Sequence, residues 1–148
     1  MSDPLEERIR QEIPAGFYFA MRPAGAYRHL ATPAVQANQL LVEVELAPLD
    51  LDRFSLIDLA SARRLLTRIL HRSLAFTSIE LRSRAEAERI AAAFLGAFGP
   101  PTTFLCNAEI GEDGEIGSWD SASLLTFDAG VVAIGGERVG ILWAAEDD

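Results

Sequence analysis

Leu125-Thr126-Phe127-Asp128-Ala129-Gly130-Val131-Val132-Ala133-Ile134, then Gly135-Gly136-Glu137, then Val139-Gly140-Ile141-Leu142-Trp143-Ala144 is the stretch that decides the fold. Two apolar, β-branched runs flank a glycine-rich break, which is the pattern of a β-hairpin. The second run is apolar at successive positions, not alternating ones, so both of its faces are covered and the strand lies inside a sheet. Upstream, Thr103–Ile110 is a further apolar strand, and Asp113-Gly114 between Glu109-Ile110 and Glu115-Ile116 is another hairpin turn. From residue 101 onward the chain therefore reads as a β-meander.

Ahead of the meander the period is helical. Ser83-Arg84-Ala85-Glu86 has the spacing of a capping box, with serine and glutamate satisfying each other's backbone amides. Ala87, Ile90, Ala91, Phe94, Leu95 and Phe98 make the apolar stripe of that helix, and Gly99 with Pro100-Pro101 stops it. A helix over 56–72 carries Leu59, Ala62, Leu66, Ile69 and Leu70 on one side. Arg64, Arg68 and Arg72 recur every fourth residue on another side, which reads as a solvated face; the competing reading is an anion-binding ridge. A short helix over 3–12 has Pro4 in its first turn. Strands are expected at 17–21, at 40–46, where Val42, Val44 and Leu46 alternate with Glu43 and Glu45, and at 75–81. Residues 22–38 read as loop, with a short strand near Tyr27–Leu30 as the alternative. The expected architecture is a single α+β domain over 1–148, with one mixed or antiparallel sheet, helices packed on one face and the meander at the end. Its core would join Ile90, Phe94 and Phe98 to Val132, Ile134, Ile141 and Trp143.

Composition agrees with a folded, soluble chain: 148 residues, 49% hydrophobic and 24% charged. No apolar run reaches the ~20 residues a membrane helix needs. Met1–Arg8 is acidic and polar, unlike a secretory signal. The single Cys106, inside Thr103-Phe104-Leu105-Cys106, reads as a buried structural thiol, and a reducing cytoplasm is the expected location. All 13 cationic side chains are arginine.

The charge is unevenly placed. Residues 101–148 hold ten acidic residues against Arg138 alone, while the twelve acids and twelve arginines of residues 1–100 cancel, so the whole net charge of −9 falls in the last third. Such a surface attracts a basic partner. It repels nucleic acid, whose phosphates require cations.

Catalytic signals are sparse. His29 and His71 have no neighbouring cysteine, histidine or carboxylate at zinc-ligand spacing. Gly135-Gly136 lacks the further glycines and following helix of a phosphate loop, so no cofactor is expected. No serine sits in a nucleophile-elbow pattern. Gly111-Glu112-Asp113-Gly114-Glu115 lacks the ligand alternation of a calcium loop and reads as a hairpin tip. Asp120 and Asp128 are the one pair that neighbouring strands would juxtapose for acid–base work. Trp119, between Gly117-Ser118 and Asp120-Ser121, is read equally as an exposed binding anchor and as a ring packed over the sheet edge.

Thr126–Ile134, the short turn, Arg138-Val139-Gly140-Ile141-Leu142-Trp143 and the acidic end Glu146-Asp147-Asp148 resemble the C-termini of bacterial immunity proteins of polymorphic toxin systems, delivered by contact or by type VI secretion. The resemblance covers about a fifth of the chain. It implies a small, acidic, non-enzymatic cytoplasmic protein that binds and neutralises a cognate toxin domain. Charge placement, not the resemblance, assigns the partner-binding residues: Glu112, Asp113, Glu115, Asp120, Asp128, Glu146, Asp147 and Asp148, with Trp119 as apolar anchor. The toxin is expected to be basic. The competing reading is a small metal-dependent or carboxylate-based hydrolase using Asp120 and Asp128.

Overall fold

A computed structural model describes residues 3–147. A five-stranded antiparallel sheet runs β1-β7-β6-β3-β2, built from β1 (Phe17–Pro23), β2 (Ser55–Ile57), β3 (Thr103–Cys106), β6 (Phe127–Ile134) and β7 (Arg138–Glu146). A separate two-stranded ribbon pairs β4 (Ala108–Ile110) with β5 (Ile116–Trp119). The helices are α1 (Pro4–Glu12), α2 (Pro33–Glu43), α3 (Leu59–His71) and α4 (Arg84–Leu95). The α+β class and the C-terminal meander are as expected, and β7 lies between β1 and β6, inside the sheet.

The helices, however, cover both faces. On one side α1, α3 and α4 bury Ile9, Leu66, Ile90 and Phe94 against Phe19, Ala129, Val131 and Leu142. On the other, α2 buries Ala37, Leu40 and Leu41 against Leu105, Val132, Ile141 and Trp143. The strand period of two explains the split, since odd and even residues of β6 face opposite layers. Ile90, Phe94 and Phe98 thus lie in one core layer, and Val132, Ile141 and Trp143 in the other, with Ile134 packed at its margin. The expected single core is two.

Residues 40–46 are not a strand. Thr32 caps α2 through Oγ1, which accepts from Val35 N at 3.3 Å, and Pro33 occupies the first turn. Val42-Glu43-Val44-Glu45-Leu46 alternates only because it contains the helix end: Leu46 N donates to Leu41 O at 2.8 Å and Glu45 N to Val42 O at 3.0 Å. These bonds close a Schellman motif, with Glu45 left-handed at φ 69° where glycine is usual. Residues 75–81 are not a strand either. The segment is a looped excursion tied back by an isolated Arg72–Glu80 bridge, leaving Phe76 and Ile79 half exposed. The expected strand Thr103–Ile110 breaks at Asn107, where the chain leaves the main sheet for the ribbon.

Asn107 makes that break by bonding sideways. Its Nδ2 donates to Asp120 O at 2.8 Å and Asp128 O at 3.0 Å, and its Oδ1 accepts from Gly130 N at 3.2 Å. Gly130 admits no side chain, because a Cβ there would lie 2.6 Å from Trp143 Cα. The Ser83 half of the capping box forms, Glu86 N donating to Ser83 Oγ at 3.1 Å, and α4 ends at Leu95 with Ala97 and Phe98 still buried. Cys106 is buried; loss of solvation pushes its thiol pKa up, and Sγ lies 3.1 Å from Ala108 O.

Candidate functional site: an arginine-walled groove

The α3 arginines and the β4–β5 turn meet across a groove of about 530 Å³. Its wall and floor carry Arg63, Arg64, Arg68, Arg72, Arg84 and Arg89 together with His71. Glu88 and the hairpin carboxylates Glu112, Asp113 and Glu115 complete the lining, so six guanidinium groups face four carboxylates. Helical spacing places Arg64, Arg68 and Arg72 in line, and α4 packs beside α3 to add Arg84 and Arg89. The hairpin tip is fixed by Gly111 N donating to Glu115 O at 2.9 Å, with Gly114 at φ +83° supplying the left-handed turn residue.

Of the row Arg64, Arg68 and Arg72, expected to be a solvated face, Arg64 and Arg72 are partly exposed and Arg68 is not. Arg68 is buried, at 6% exposure. Its Nη1 and Nη2 donate to Arg72 O (2.9 Å) and Ser73 O (3.4 Å), which satisfies carbonyls at the helix end, while Nε donates to Glu115 Oε2 at 3.3 Å. Glu115 Oε1 also lies 3.7 Å from Arg72 Nη2. Arg64 Nη2 reaches Ser61 Oγ at 3.0 Å, yet its Nε is buried with no hydrogen-bond partner among the described residues. Such a donor normally finds an acceptor. His71, also buried, uses Nδ1 against Arg82 O at 2.9 Å and sets Nε2 3.7 Å from Glu80.

A smaller cavity of about 150 Å³ adjoins the groove, since Arg68 and Glu115 line both. Leu74, Ile116, Trp119 and Phe127 make its apolar walls. Trp119 is half buried, its ring centroid 5.3 Å from that of Phe127. It is both the packed ring and the cavity wall.

The residues assigned to an acidic face do not form one. Glu112, Asp113 and Glu115 share the hairpin tip, and Trp119 stands at the adjoining cavity. Asp128, expected on the surface, is 1% exposed. Its Oδ1 accepts from Asn107 Nδ2 (3.1 Å), Ala122 N (3.0 Å) and Trp143 Nε1 (3.2 Å), and its Oδ2 from Ser123 Oγ (2.9 Å). A buried carboxylate surrounded by donors is a structural hub. Glu146 is turned inward, accepting from Ser73 Oγ at 2.5 Å and Leu74 N at 3.0 Å to tether the 73–82 loop. Asp120 pairs with Arg53 at 3.3 Å. Asp147 accepts from Thr126 Oγ1 at 2.7 Å and from Thr126 N, which lowers its pKa. Asp148 lies outside the described residues. Arginines from the neutral two-thirds therefore interleave with the acidic third.

Asp120 and Asp128 are bonded to different partners, Asp120 to Arg53 and Asp128 to Ala122 and Ser123. Among the described residues no group of three or more histidines, cysteines, aspartates and glutamates is placed to hold a metal ion. Among the same residues no helix is long and apolar enough to cross a membrane. The arginine spacing is legible in the sequence but the groove is not, because the contact of Arg68 with Glu115 joins residues 47 apart in the chain. No protein-family model matches the chain, and neither the curated proteins nor the solved structures provide a match.

Proposed function

We propose that the chain is a non-catalytic binding protein of the immunity type, which neutralises a toxin domain by seating part of it on the groove between α3, α4 and the β4–β5 hairpin. The observation that carries this reading is the continuity of an arginine wall with a tryptophan-lined apolar cavity through Arg68 and Glu115. Arginine and tryptophan beside a desolvated pocket are the side chains that dominate protein interfaces. The strands beneath are held by the Asn107–Asp128 network, so the surface is pre-organised and association orders few additional groups. The resemblance of the C-terminal hairpin to immunity proteins supports the biological setting. Of the residues assigned from charge, Glu112, Asp113, Glu115 and Trp119 stay in the proposed interface, and the remainder leave it.

The test is protection. The chain is co-expressed in a sensitive host with the product of the neighbouring reading frame. Restored growth together with a stable complex in size-exclusion chromatography is the expected result. Failure of both removes the immunity reading.

A further inference from the structure

We infer that the arginine groove takes an acidic peptide segment of the partner, and that Glu115 occupies part of it in the free protein as a built-in competitor. This rests on the groove being the interface, and it reverses the sign of charge that the net −9 suggested. Three observations point the same way.

First, the groove holds more guanidinium groups than carboxylates, although the protein as a whole is acidic. Arg84 is already paired with Glu88 at 3.0 Å and Arg89 with Glu12 at 2.7 Å, so the guanidinium charge open to a ligand is that of Arg63, Arg64 and Arg72. Second, Glu115 reaches from the hairpin to Arg68 at 3.3 Å and to Arg72 at 3.7 Å. Its side chain is 47% exposed, so water reaches the carboxylate and a second carboxylate has a path to displace it. Arg68 is buried and keeps its carbonyl partners, whereas Arg72 is 35% exposed, so the Glu115–Arg72 contact is the half of the arrangement that a second carboxylate exchanges readily. Third, the Arg64 Nε donor is buried without an acceptor among the described residues, beside that same pair. A glutamate or aspartate side chain entering the groove would engage the guanidinium groups of Arg64 and Arg72 with charge-assisted bonds, and Nε of Arg64 gains an acceptor only if that side chain turns toward the groove.

The adjoining cavity narrows the ligand further. Its apolar walls of Leu74, Ile116, Trp119 and Phe127 suit an aromatic or aliphatic side chain carried next to the acidic residues. The groove's own carboxylates, Glu88, Glu112 and Asp113, repel an extended row of like charge, so the site suits one or two discrete peptide carboxylates better than the continuous phosphates of nucleic acid.

The probe is a short fluorescein-labelled peptide of glutamates flanking one phenylalanine, titrated by anisotropy into the intact chain at low and moderate salt. The controls are the same peptide with lysines in place of the glutamates and a labelled single-stranded oligonucleotide. The expected result is binding of the acidic peptide alone, weakened by salt. The double variant Arg64→Met/Arg72→Met should lose roughly tenfold or more in affinity. Glu115→Gln should gain roughly threefold or more by removing the competitor. Trp119→Ala should weaken the phenylalanine-bearing peptide and leave an all-glutamate peptide unchanged. Arg68 is left intact because it also satisfies helix-end carbonyls, and circular dichroism verifies that each variant folds. Equal binding of the lysine peptide overturns the inference. So does an acidic-peptide affinity indifferent to the double variant, or tighter binding of the oligonucleotide that responds to it. Peptide binding without host protection retains the groove and loses the immunity reading. Protection undiminished in Arg64→Met/Arg72→Met retains the immunity reading and loses the groove.

Discussion

Asp128 and Glu115 lie thirteen residues apart in the acidic third of the chain, and their surroundings are opposite. Asp128 sits between sheet and loop, its two oxygens filled by an amide side chain, a backbone amide, a hydroxyl and an indole, with no arginine among the described residues bonded to it. Glu115 stands at the lip of a groove, half exposed, facing two arginines. A buried carboxylate met by neutral dipoles fixes local structure, because removing it orphans several donors at once. A carboxylate at a charged lip costs little to move. Formal charge in a sequence counts the two alike, whereas only the second is available to a partner.

The comparison is tested most severely at Asp128. Asp128→Ala should destabilise the chain by about 3 kcal/mol or more, since Ala122, Ser123 and Trp143 all lose their acceptor and Asn107 keeps only backbone carbonyls. Asp128→Asn should cost nearly as much, because its amide would set a donor against donors. Urea denaturation measures both; a loss under about 1 kcal/mol would mean that the carboxylate is not the hub. Gly130→Ala probes the same junction, and the clash with Trp143 should cost about 1–3 kcal/mol in the same measurement.

A smaller effect of opposite sign is expected at the end of α2. Glu45 is exposed and left-handed, so Glu45→Gly should stabilise by about 1 kcal/mol, seen as a higher denaturation midpoint. Glu115→Gln completes the order. Stability should fall by no more than about 1 kcal/mol, because Glu115 is half exposed and Arg68 keeps its carbonyl partners, while acidic-peptide affinity rises. A stability loss like that of Asp128→Ala would erase the distinction between the two carboxylates.

These contrasts show where the sequence is legible. The Gly135-Gly136-Glu137 hairpin, the Ser83 cap and the apolar stripe through Phe94 are local signals, and each element forms where its residues indicate. The helix over Pro33–Glu43 also has a local signal, Thr32-Pro33 before an Ala37, Leu40, Leu41 stripe, masked by the valine–glutamate alternation at its end. Phe76 and Ile79 suit a strand, but the Glu146 side chain at the end of β7 accepts from Ser73 and Leu74 and ties the segment to the sheet as a loop, not as a paired strand. The division into two core layers follows from the α2 crossing to the other face, a tertiary choice that strand periodicity does not encode. The same holds for the site. The arginine ladder on α3 is visible as spacing, while its burial, its contact with Glu115 and the inward turn of Asp128 and Glu146 arise only when distant segments meet.

The central claim is that the arginine groove, and not an acidic face, receives the partner. Its most direct test is a two-dimensional NMR titration of arginine Nε–Hε resonances with the glutamate–phenylalanine peptide. Saturable shifts at Arg64, Arg68 and Arg72, with Arg10, Arg22 and Arg138 unmoved, are the predicted result. Shifts confined to Arg10, Arg22 or Arg138, or none at any arginine while the lysine peptide perturbs the amides of Glu112 and Asp113, would contradict it.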